Sequence, residues 1–234
     1  MVIIDNSLRR KIKLSLVIAI RDKDRIVLGA DKQVSTGGSK EHTSTKIWPV
    51  AELPGAIMGG VGSARASQII QYANIIDKNL IDKDIDTEFI ICSLAPTIAA
   101  GLKANGINIE VKDDDVCTML PNAFIFAYKD RAWMIWNDLS VSELEEYFAI
   151  GSGSDVAKGA LFATKKQNPF ERIVTAIDAA SESTLFVDNG IDLLVTGEHD
   201  GDELKIANAL GFEIEEVKEE IKKSEAKAKK TKKK

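Results

Sequence analysis

The 234-residue chain carries a net charge of -5 and is 44% hydrophobic, which predicts one core and a single domain with an appended tail. Two cysteines, Cys92 and Cys117, and two histidines, His42 and His199, argue against a disulfide framework and against a metal cluster. No apolar run approaches the roughly 18 residues of a membrane span and no signal peptide is recognisable, so we expect a cytoplasmic protein without cofactor, metal or membrane contact.

The charge is divided unevenly along the sequence. Residues 222–234 contain eight lysines and one glutamate, so this tail carries +7 and the rest of the chain carries -12. Aromatic and arginine residues are not interleaved with the lysines, which favours a solvated end over a nucleic-acid contact. We therefore expect no nucleic-acid partner.

The stretch 15–50 predicts a β-hairpin followed by a third strand. Apolar and mostly β-branched residues occupy 16–20 and 26–28, and a charged turn separates these two runs. A polar loop then leads to a short apolar strand at 46–48.

Three chemically reactive residue types fall at the ends of these strands. Ser15 begins the first strand, Asp31 closes the second, and Lys46 opens the third. Each is ordinary by itself, because serine, aspartate and lysine are common at strand ends and sheet edges. Composition alone therefore does not separate a catalytic role from a structural one.

Glycines mark the next transition from strand to helix. Residues 55–62 form a strand and turn of small residues, and 63–72 follow with a helical pattern. Such a turn could cradle a phosphate, but no Gly-Lys-Ser/Thr sequence follows and the dinucleotide fingerprint is not met. The sequence therefore does not predict a nucleotide-binding site at this turn.

The middle of the chain predicts a buried helix and a second hairpin. Residues 87–105 are apolar, and Pro96 is expected to kink the helix. The acidic cluster 113–115 lacks the spacing of a calcium loop. Two alternating runs, 123–128 and 132–136, predict the hairpin. Four of its aromatic residues are expected to pack the sheets: Phe124, Phe126, Trp133 and Trp136.

The last third predicts a strand, two helices and a final strand. A strand ends in glycines within 148–154, and helices are expected over 155–165 and 169–182. A strand follows at 191–196. The order of elements indicates an α+β protein rather than a repeating βα protein. Further along, an apolar spacing predicts an amphipathic helix carrying Ile214, Val217 and Ile221.

The hairpin resembles the N-terminal hairpin of the proteasome β-subunit and HslV peptidase family. These are N-terminal-nucleophile hydrolases, whose mature chain begins with the catalytic residue. The resemblance is carried by Ser15, Asp31 within Gly29-Ala30-Asp31, and Lys46 within Lys46-Ile47. It extends to Gly151-Ser152-Gly153 and to 173–189, and it implies a four-layer αββα sandwich.

The same resemblance implies the role of each site residue. The nucleophile would be a serine whose own α-amine acts as the base, with an aspartate orienting a charged lysine, a serine supporting the amine, and backbone N–H groups stabilising the oxyanion. The catalytic candidates are Ser15, Asp31, Lys46 and Ser152, and the oxyanion candidates are Gly60 and Gly62.

Two positions depart from the family pattern. The bond that is cleaved to remove the propeptide usually follows a glycine, whereas Leu14 precedes Ser15 here. If the codon of Leu14 were an alternative start, trimming of the initiator methionine would expose Ser15 directly. The family also has an acid near the end of its last helix, where this chain has Ser183 with Glu182 beside it as candidate support.

These observations leave three functions open. The first is a peptidase subunit that hydrolyses unfolded proteins inside closed homo-oligomeric rings, with an ATPase ring feeding substrate inwards. The second is a catalytically silent structural subunit of such a ring, and the third is a related acyl-transfer enzyme. The resemblance divides the chain into three parts: 1–14 as propeptide or dispensable extension, 15–198 as the hydrolase domain, and 199–234 as the C-terminal helix and tail.

Overall fold

The structure is a computed structural model. It describes residues 15–36, 39–41, 45–73, 76, 85–109, 119–188, 190–197 and 205–208. Several predictions lie outside the described residues: the N-terminal extension 1–14, the acidic cluster 113–115, the amphipathic helix around 214–221 and the lysine tail 222–234.

Twelve strands occur in the described part of the chain. They are β1 (Leu16–Asp22), β2 (Arg25–Asp31), β3 (Val34–Thr36), β4 (Ser39–Glu41), β5 (Ile47–Pro49), β6 (Ile57–Gly62), β7 (Asn122–Tyr128), β8 (Arg131–Ile135), β9 (Val141–Glu143), β10 (Tyr147–Gly151), β11 (Gly190–Val195) and β12 (Lys205–Asn208). The first sheet has the order β10-β1-β2-β11-β12, and the second has the order β5-β6-β7-β8-β9. Strands β3 and β4 form a separate small ribbon.

Helices flank the two sheets. They are α1 (Ala64–Tyr72), α2 (Thr87–Phe89), a π-helical turn (Ile90–Leu94), α3 (Ala95–Ala104), α4 (Ser154–Ala163) and α5 (Pro169–Ser183). Side-chain caps explain where α1 and α5 begin: Ser63 accepts from the Ala66 N–H, and Asn168 accepts from the Glu171 N–H. Pro169 occupies the first turn of α5, where its missing N–H has no partner to lose.

Three apolar clusters separate four layers. The first lies between the second sheet and helices α1 to α3. The second lies between the two sheets, and the third lies between the first sheet and helices α4 and α5. The predicted αββα sandwich is therefore confirmed.

Both predicted hairpins are confirmed. Strands β1 and β2 pair antiparallel with Val17 opposite Ala30, and β7 pairs with β8 in the same way. The third strand begins at Ile47, one residue after the prediction. Of the four aromatic residues, Trp136 packs against the cluster between the sheets. The other three pack under the helices instead: Phe124, Phe126 and Trp133.

Residues 87–104 form one continuous helix, as the sequence predicts. Its 18 residues pass a length and composition test for a membrane span, which the sequence prediction did not expect. One face is nevertheless part of the first apolar cluster, through residues that include Ile90, Leu94 and Ile98. The π-helical turn Ile90–Leu94 ends two residues before Pro96, where proline removes an N–H and crowds the preceding turn.

A polar network attaches the beginning of this helix to the second sheet. Arg131 on β8 contacts Glu143 on β9 with N···O distances of 2.7 and 2.8 Å. The Thr87 hydroxyl donates to Glu143 at 2.5 Å and accepts from the Trp133 indole N–H at 2.9 Å. The pKa of Glu143 is lowered to about 2, chiefly by its hydrogen bonds from Arg131.

Candidate active site

A buried ion pair lies at the end of the first hairpin. Lys46 Nζ donates to Asp31 Oδ1 at 2.6 Å, and the two side chains are 5% and 0% exposed. Because unpaired charges are rarely buried, the two residues depend on each other. The structure thus brings together two of the predicted catalytic residues, Asp31 and Lys46.

Backbone groups fix the carboxylate in place. The Leu16 N–H also donates to Asp31 Oδ1 at 2.7 Å, and the Gln33 N–H donates to Oδ2 at 3.1 Å. Burial raises the pKa of Asp31 while the Lys46 ammonium opposes this change. Burial likewise lowers the pKa of Lys46 against the opposing Asp31 charge. The first residue of β1 after the nucleophile candidate is therefore tied directly to the ion pair.

Ser15 is held beside this pair by β10. The Ser152 N–H donates to the Ser15 carbonyl at 2.8 Å, and Gly151 pairs with Leu16 across the two strands. Gly151 has φ +110°, and a Cβ built on it would collide with the Ser15 carbonyl group. Glycine is required at this position because only a bare backbone can approach so closely. Ser15, Asp31, Lys46 and Ser152 hence converge on one end of the first sheet.

The glycine turn belongs to β6 of the second sheet and lies beside the Lys46 backbone. The Gly60 N–H donates to the Lys46 carbonyl at 2.9 Å. The predicted oxyanion donor at Gly60 is therefore engaged with the backbone in this structure. Gly62 has φ +123°, and a Cβ there would collide with the Pro121 carbonyl oxygen. The oxyanion role of Gly60 and Gly62 remains a prediction from the resemblance.

Asn122 clamps the same turn to β7. Its Oδ1 accepts from the Ser63 N–H at 3.0 Å, and its Nδ2 donates to the Ser63 carbonyl and the Ser67 hydroxyl, both at 3.1 Å. Asn122 is fully buried. No sequence motif pointed to this residue, because its partners are more than fifty residues away along the chain.

The candidate support residues near the end of α5 do not join the ion pair. Ser183 is exposed, and its hydroxyl donates to the Ala179 carbonyl on the same helix at 2.7 Å. Glu182 is exposed too. The buried face of α5 is formed by residues such as Ile173 and Ile177, which places both candidates on the opposite side. Among the described contacts, Ser183 and Glu182 do not reach Asp31 or Lys46.

Two other carboxylates approach the ion pair instead. Asp188 Oδ1 accepts from the Lys32 and Gly190 N–H groups at 3.2 and 3.0 Å, and its charge contributes to the raised pKa of Asp31. Asp192 on β11 is fully buried and lies 3.5 Å from Lys32 Nζ. The sequence analysis missed both. The available signal was a charged residue inside the apolar strand 191–195.

The arrangement suits chemistry at the start of β1. A hydroxyl begins the strand, and a buried ammonium and several carboxylates surround the adjacent backbone. Such environments shift the protonation of nearby groups, which is how acid–base sites are built. Within the described residues, the side chains do not form a group suited to holding a metal ion.

These features together define a fold known from solved structures, that of the HslV and proteasome type of N-terminal-nucleophile hydrolase. The chain is similar to Thiobacillus denitrificans BPH, with 21% identity, a TM-score of 0.63, and coverage of 79% of this chain and 99% of that chain. The same protein in complex with epoxomicin matches at 20% identity, the same coverage and a TM-score of 0.60.

HslV from Trypanosoma brucei has this fold as well. It matches at 20% identity with a TM-score of 0.51, again over 79% of this chain and 99% of that chain. No protein-family model matches the chain, and no curated protein matches it. The structural similarity therefore establishes the fold and confirms the predicted architecture.

Proposed function

We propose that this chain is a peptidase subunit with Ser15 as an N-terminal nucleophile. The observation that carries the proposal is the buried Asp31–Lys46 ion pair, whose carboxylate also binds the N–H of the residue directly after Ser15. A costly buried pair at the first strand residue is explained by catalysis better than by stability. The proteasome-like fold supports the same conclusion.

The chemistry follows from the position of Ser15. A free α-amine has a pKa of about 8 and can accept the hydroxyl proton of its own residue at neutral pH. The hydroxyl oxygen then attacks a peptide carbonyl, the amine returns the proton to the leaving nitrogen, and an ester to Ser15 remains. Water hydrolyses this ester. Lys46, held by Asp31, supplies the positive charge that stabilises negative charge developing nearby.

Activity requires a break between Leu14 and Ser15. In the sequence as translated, the Ser15 nitrogen is part of a peptide bond and has no basic lone pair. Either removal of residues 1–14, or a translation start at Leu14 followed by trimming of the initiator methionine, would supply the free amine. Intact mass and N-terminal sequencing of the native protein distinguish a chain that begins at Ser15 from one that retains the extension.

An epoxyketone tests the nucleophile directly. Epoxomicin, which binds Thiobacillus denitrificans BPH, offers two electrophilic groups that a hydroxyl and an adjacent amine can both attack. We expect covalent labelling of Ser15 in the wild type and in Ser15→Thr, which keeps the hydroxyl, and no labelling in Ser15→Ala. Labelling that persists in folded Ser15→Ala would rule out this nucleophile.

Two observations favour a second candidate, a silent structural subunit. The Gly60 N–H already donates to the Lys46 carbonyl, and the Ser15 nitrogen is part of a peptide bond with Leu14. A native chain that keeps residues 1–14, hydrolyses no peptide and takes no epoxomicin label would establish that candidate. A labelled chain that transfers acyl groups to amines faster than to water would indicate the acyl-transfer enzyme instead.

Exposed apolar side chains on both helical layers support assembly into rings. Tyr72 and Ile91 are 74% and 48% exposed on one layer, and Phe162 and Leu185 are 65% and 75% exposed on the other side of the sandwich. Contiguous apolar patches mark contact surfaces, so we propose that these four residues contribute to contacts between subunits. Native mass spectrometry should show a closed homo-oligomer, and Tyr72→Ser combined with Phe162→Ser should dissociate it.

Active sites enclosed within a closed ring of subunits would admit only unfolded chains. We therefore propose unfolded protein as the substrate and an ATPase ring as the partner that delivers it. The isolated protein should cleave a short fluorogenic peptide and an unfolded polypeptide but not a stable folded domain. Cleavage of the folded domain by the isolated protein would contradict the requirement for an unfolding partner.

A further inference from the structure

Lys32 and Ser15 are neighbours on the face of the first sheet that is turned towards the second sheet. Val17 and Ala30 pair across β1 and β2, and both belong to the cluster between the sheets. Ser15 lies two residues before Val17. Lys32 lies two residues after Ala30, and residues two apart in an extended strand point to the same face. The register of the hairpin, continued to the ends of both strands, therefore places Lys32 opposite Ser15.

The backbone of Lys32 is fixed by the beginning of β11. Its N–H donates to the Gly190 carbonyl at 3.1 Å and to Asp188 Oδ1 at 3.2 Å. A Cβ built on Gly190 would lie only 3.2 Å from Lys32 Cδ, so the absence of a side chain there gives the Lys32 stem room to lie along β11. The direction of the Lys32 side chain is thus set by the strand beside it.

The ammonium group of Lys32 is directed at Asp192. Asp192 pairs with Ala30 across β11 and β2, so it lies on the same face as Lys32 but further inside the sandwich. Lys32 Nζ lies 3.5 Å from Asp192 Oδ1, which is longer than the about 2.8 Å of a strong charge-assisted hydrogen bond. Within the described residues this is the one ion pair of an ammonium group that has three N–H donors. Donors of Lys32 are therefore available to a ligand.

Lys32 is also the charged side chain of this group that a ligand can reach. Its side chain is 20% exposed. The three nearby carboxylates are buried: Asp31, Asp188 and Asp192. A ligand that enters beside Ser15 consequently meets an ammonium group before it meets a carboxylate.

Stability alone does not account for the pair of Lys32 and Asp192. Removing two charges from water is costly, and apolar residues of similar size are often equally or more stabilising. The neighbours on this face are apolar, among them Val17, Ala30 and Leu194. A buried carboxylate with an accessible ammonium partner suits a binding site, because Asp192 holds the Lys32 ammonium between the sheets and away from bulk solvent.

We propose that Lys32 is a specificity-determining residue whose ammonium binds a carboxylate side chain on the substrate residue that supplies the scissile carbonyl. That substrate residue becomes attached to Ser15, so its side chain lies among the neighbours of Ser15. The proposal rests on the proposed function, because it names the substrate class of the same site. Peptides cleaved after glutamate or aspartate are the preferred substrates.

Matched fluorogenic peptides with glutamate or glutamine at this position test the selection. We expect the native protein to cleave the glutamate peptide with a kcat/KM about tenfold above that of the glutamine peptide, as expected for a hydrogen bond to a charged group. Lys32→Met should abolish this ratio, and Lys32→Arg, which keeps the charge, should retain it. Lys103→Met is the matched control and should keep the wild-type ratio, because Lys103 is an exposed lysine on α3.

Asp192→Asn should change the ratio in the opposite direction. Without the buried carboxylate, the Lys32 ammonium has no competing partner, so the preference for glutamate should rise above that of the wild type. A purely structural role of the pair would lower the cleavage of both peptides together and leave their ratio unchanged. A constant ratio in Lys32→Met and Asp192→Asn therefore overturns the proposal.

A binding measurement separates this proposal from the proposed function. Fluorescence anisotropy with labelled peptide amides that end in glutamate or glutamine measures affinity in Ser15→Ala, without cleavage. We expect the glutamate peptide to bind about tenfold more tightly, and this difference to disappear when Lys32→Met is added. A protein that shows this difference but cleaves neither peptide contradicts the proposed function alone. Equal affinities with equal kcat/KM values contradict the role of Lys32 alone.

A second variant covers a failure of Lys32→Met to fold. That change leaves the Asp192 carboxylate buried without its partner, which is destabilising. The double variant Lys32→Met with Asp192→Asn leaves no buried charge in the pair, and it should lose the preference for glutamate in the same way. A folded double variant that keeps the preference overturns the proposal. If the double variant does not fold either, Asp192→Asn decides, and a ratio no higher than in the wild type overturns the proposal.

Discussion

Gly151 lies against the carbonyl group of Ser15 with no room for a side chain between them. A Cβ at Gly151 would lie within 3.0 Å of both atoms of that carbonyl, and the φ of +110° disfavours any other residue. The strand that carries the nucleophile candidate is thereby aligned by a backbone-to-backbone contact. The position of Ser15 depends on the absence of one methyl group.

Gly151→Ala should therefore displace Ser15. We expect a loss of about 1–3 kcal/mol in the free energy of unfolding and about a hundredfold slower epoxomicin labelling, since small misplacements of reacting groups have large effects on rate. Urea denaturation and labelling kinetics measure the two effects. Gly159→Ala is the control, because Gly159 lies in α4 with open space at its Cβ position. Equal unfolding free energies and labelling rates in the two variants would show that the contact between Gly151 and Ser15 is unimportant.

Asn122→Ala should weaken the turn that follows β6. The change removes partners from the Ser63 N–H, the Ser63 carbonyl and the Ser67 hydroxyl. Unsatisfied buried polar groups are unfavourable, so we expect a loss of about 2–3 kcal/mol in urea denaturation. Asn105→Ala is a matched control, because the Asn105 side chain binds the Gly101 carbonyl in an exposed position, and it should stay within about 0.5 kcal/mol.

Lys46→Met should leave the Asp31 carboxylate buried without its ammonium partner. At neutral pH we expect a loss of about 3 kcal/mol in the free energy of unfolding. Burial already raises the pKa of Asp31 above 3.8, and the loss of Lys46 raises it further. A raised folded-state pKa gives stability that is present in acid and disappears as pH rises through that pKa. The deficit should thus shrink as pH falls through the raised pKa of Asp31 and should be smallest below about pH 4.

The double variant Asp31→Asn with Lys46→Met completes this test. If the ion pair acts as a unit, the double variant is less destabilised than the sum of the two single variants, because no buried charge remains. Additive losses in urea denaturation would show that the two side chains contribute independently.

Glu143→Gln should change the response of the protein to acid. The pKa of Glu143 is lowered from 4.5 to about 2, chiefly by hydrogen bonds from Arg131. A lowered folded-state pKa gives stability that is present above pH 4.5 and is lost as pH falls towards 2. Wild type and variant should therefore differ in urea denaturation at pH 7 and converge near pH 2. Glu182→Gln, an exposed position, should not differ from the wild type at either pH.

The sequence predicts the local elements of this fold well because each depends on neighbouring residues. Two apolar runs and a charged turn define the hairpin that ends in Asp31, and Pro169 after Asn168 defines the start of α5. The ribbon of β3 and β4 was missed, because a polar segment gives no alternating apolar pattern. Residues 87–105 were predicted to form a largely buried helix, but only about a third of 87–104 is buried, because one face alone packs on the second sheet. The π-helical turn before Pro96 has no signature in hydrophobic spacing.

The residues of the candidate site also divide into those that the sequence predicts and those that it does not. Ser15, Asp31 and Lys46 were predicted because the resemblance assigns them to particular strand ends. Asp188 and Asp192 come to the site only through the pairing of β11 with β2, about 160 residues apart in sequence, which local patterns do not encode. The engagement of the Gly60 N–H with the Lys46 carbonyl likewise follows from the pairing of two strands.

Strand β1 is paired on both sides, by β10 and by β2, in a chain that still contains residues 1–14. The Ser15 carbonyl and the Leu16 N–H therefore already have their partners in the uncleaved chain. Maturation of such a chain would be a change of one covalent bond on a finished scaffold. Under the proposed function, folding would be complete before the Ser15 amine is freed, so late cleavage would not leave an unstable precursor.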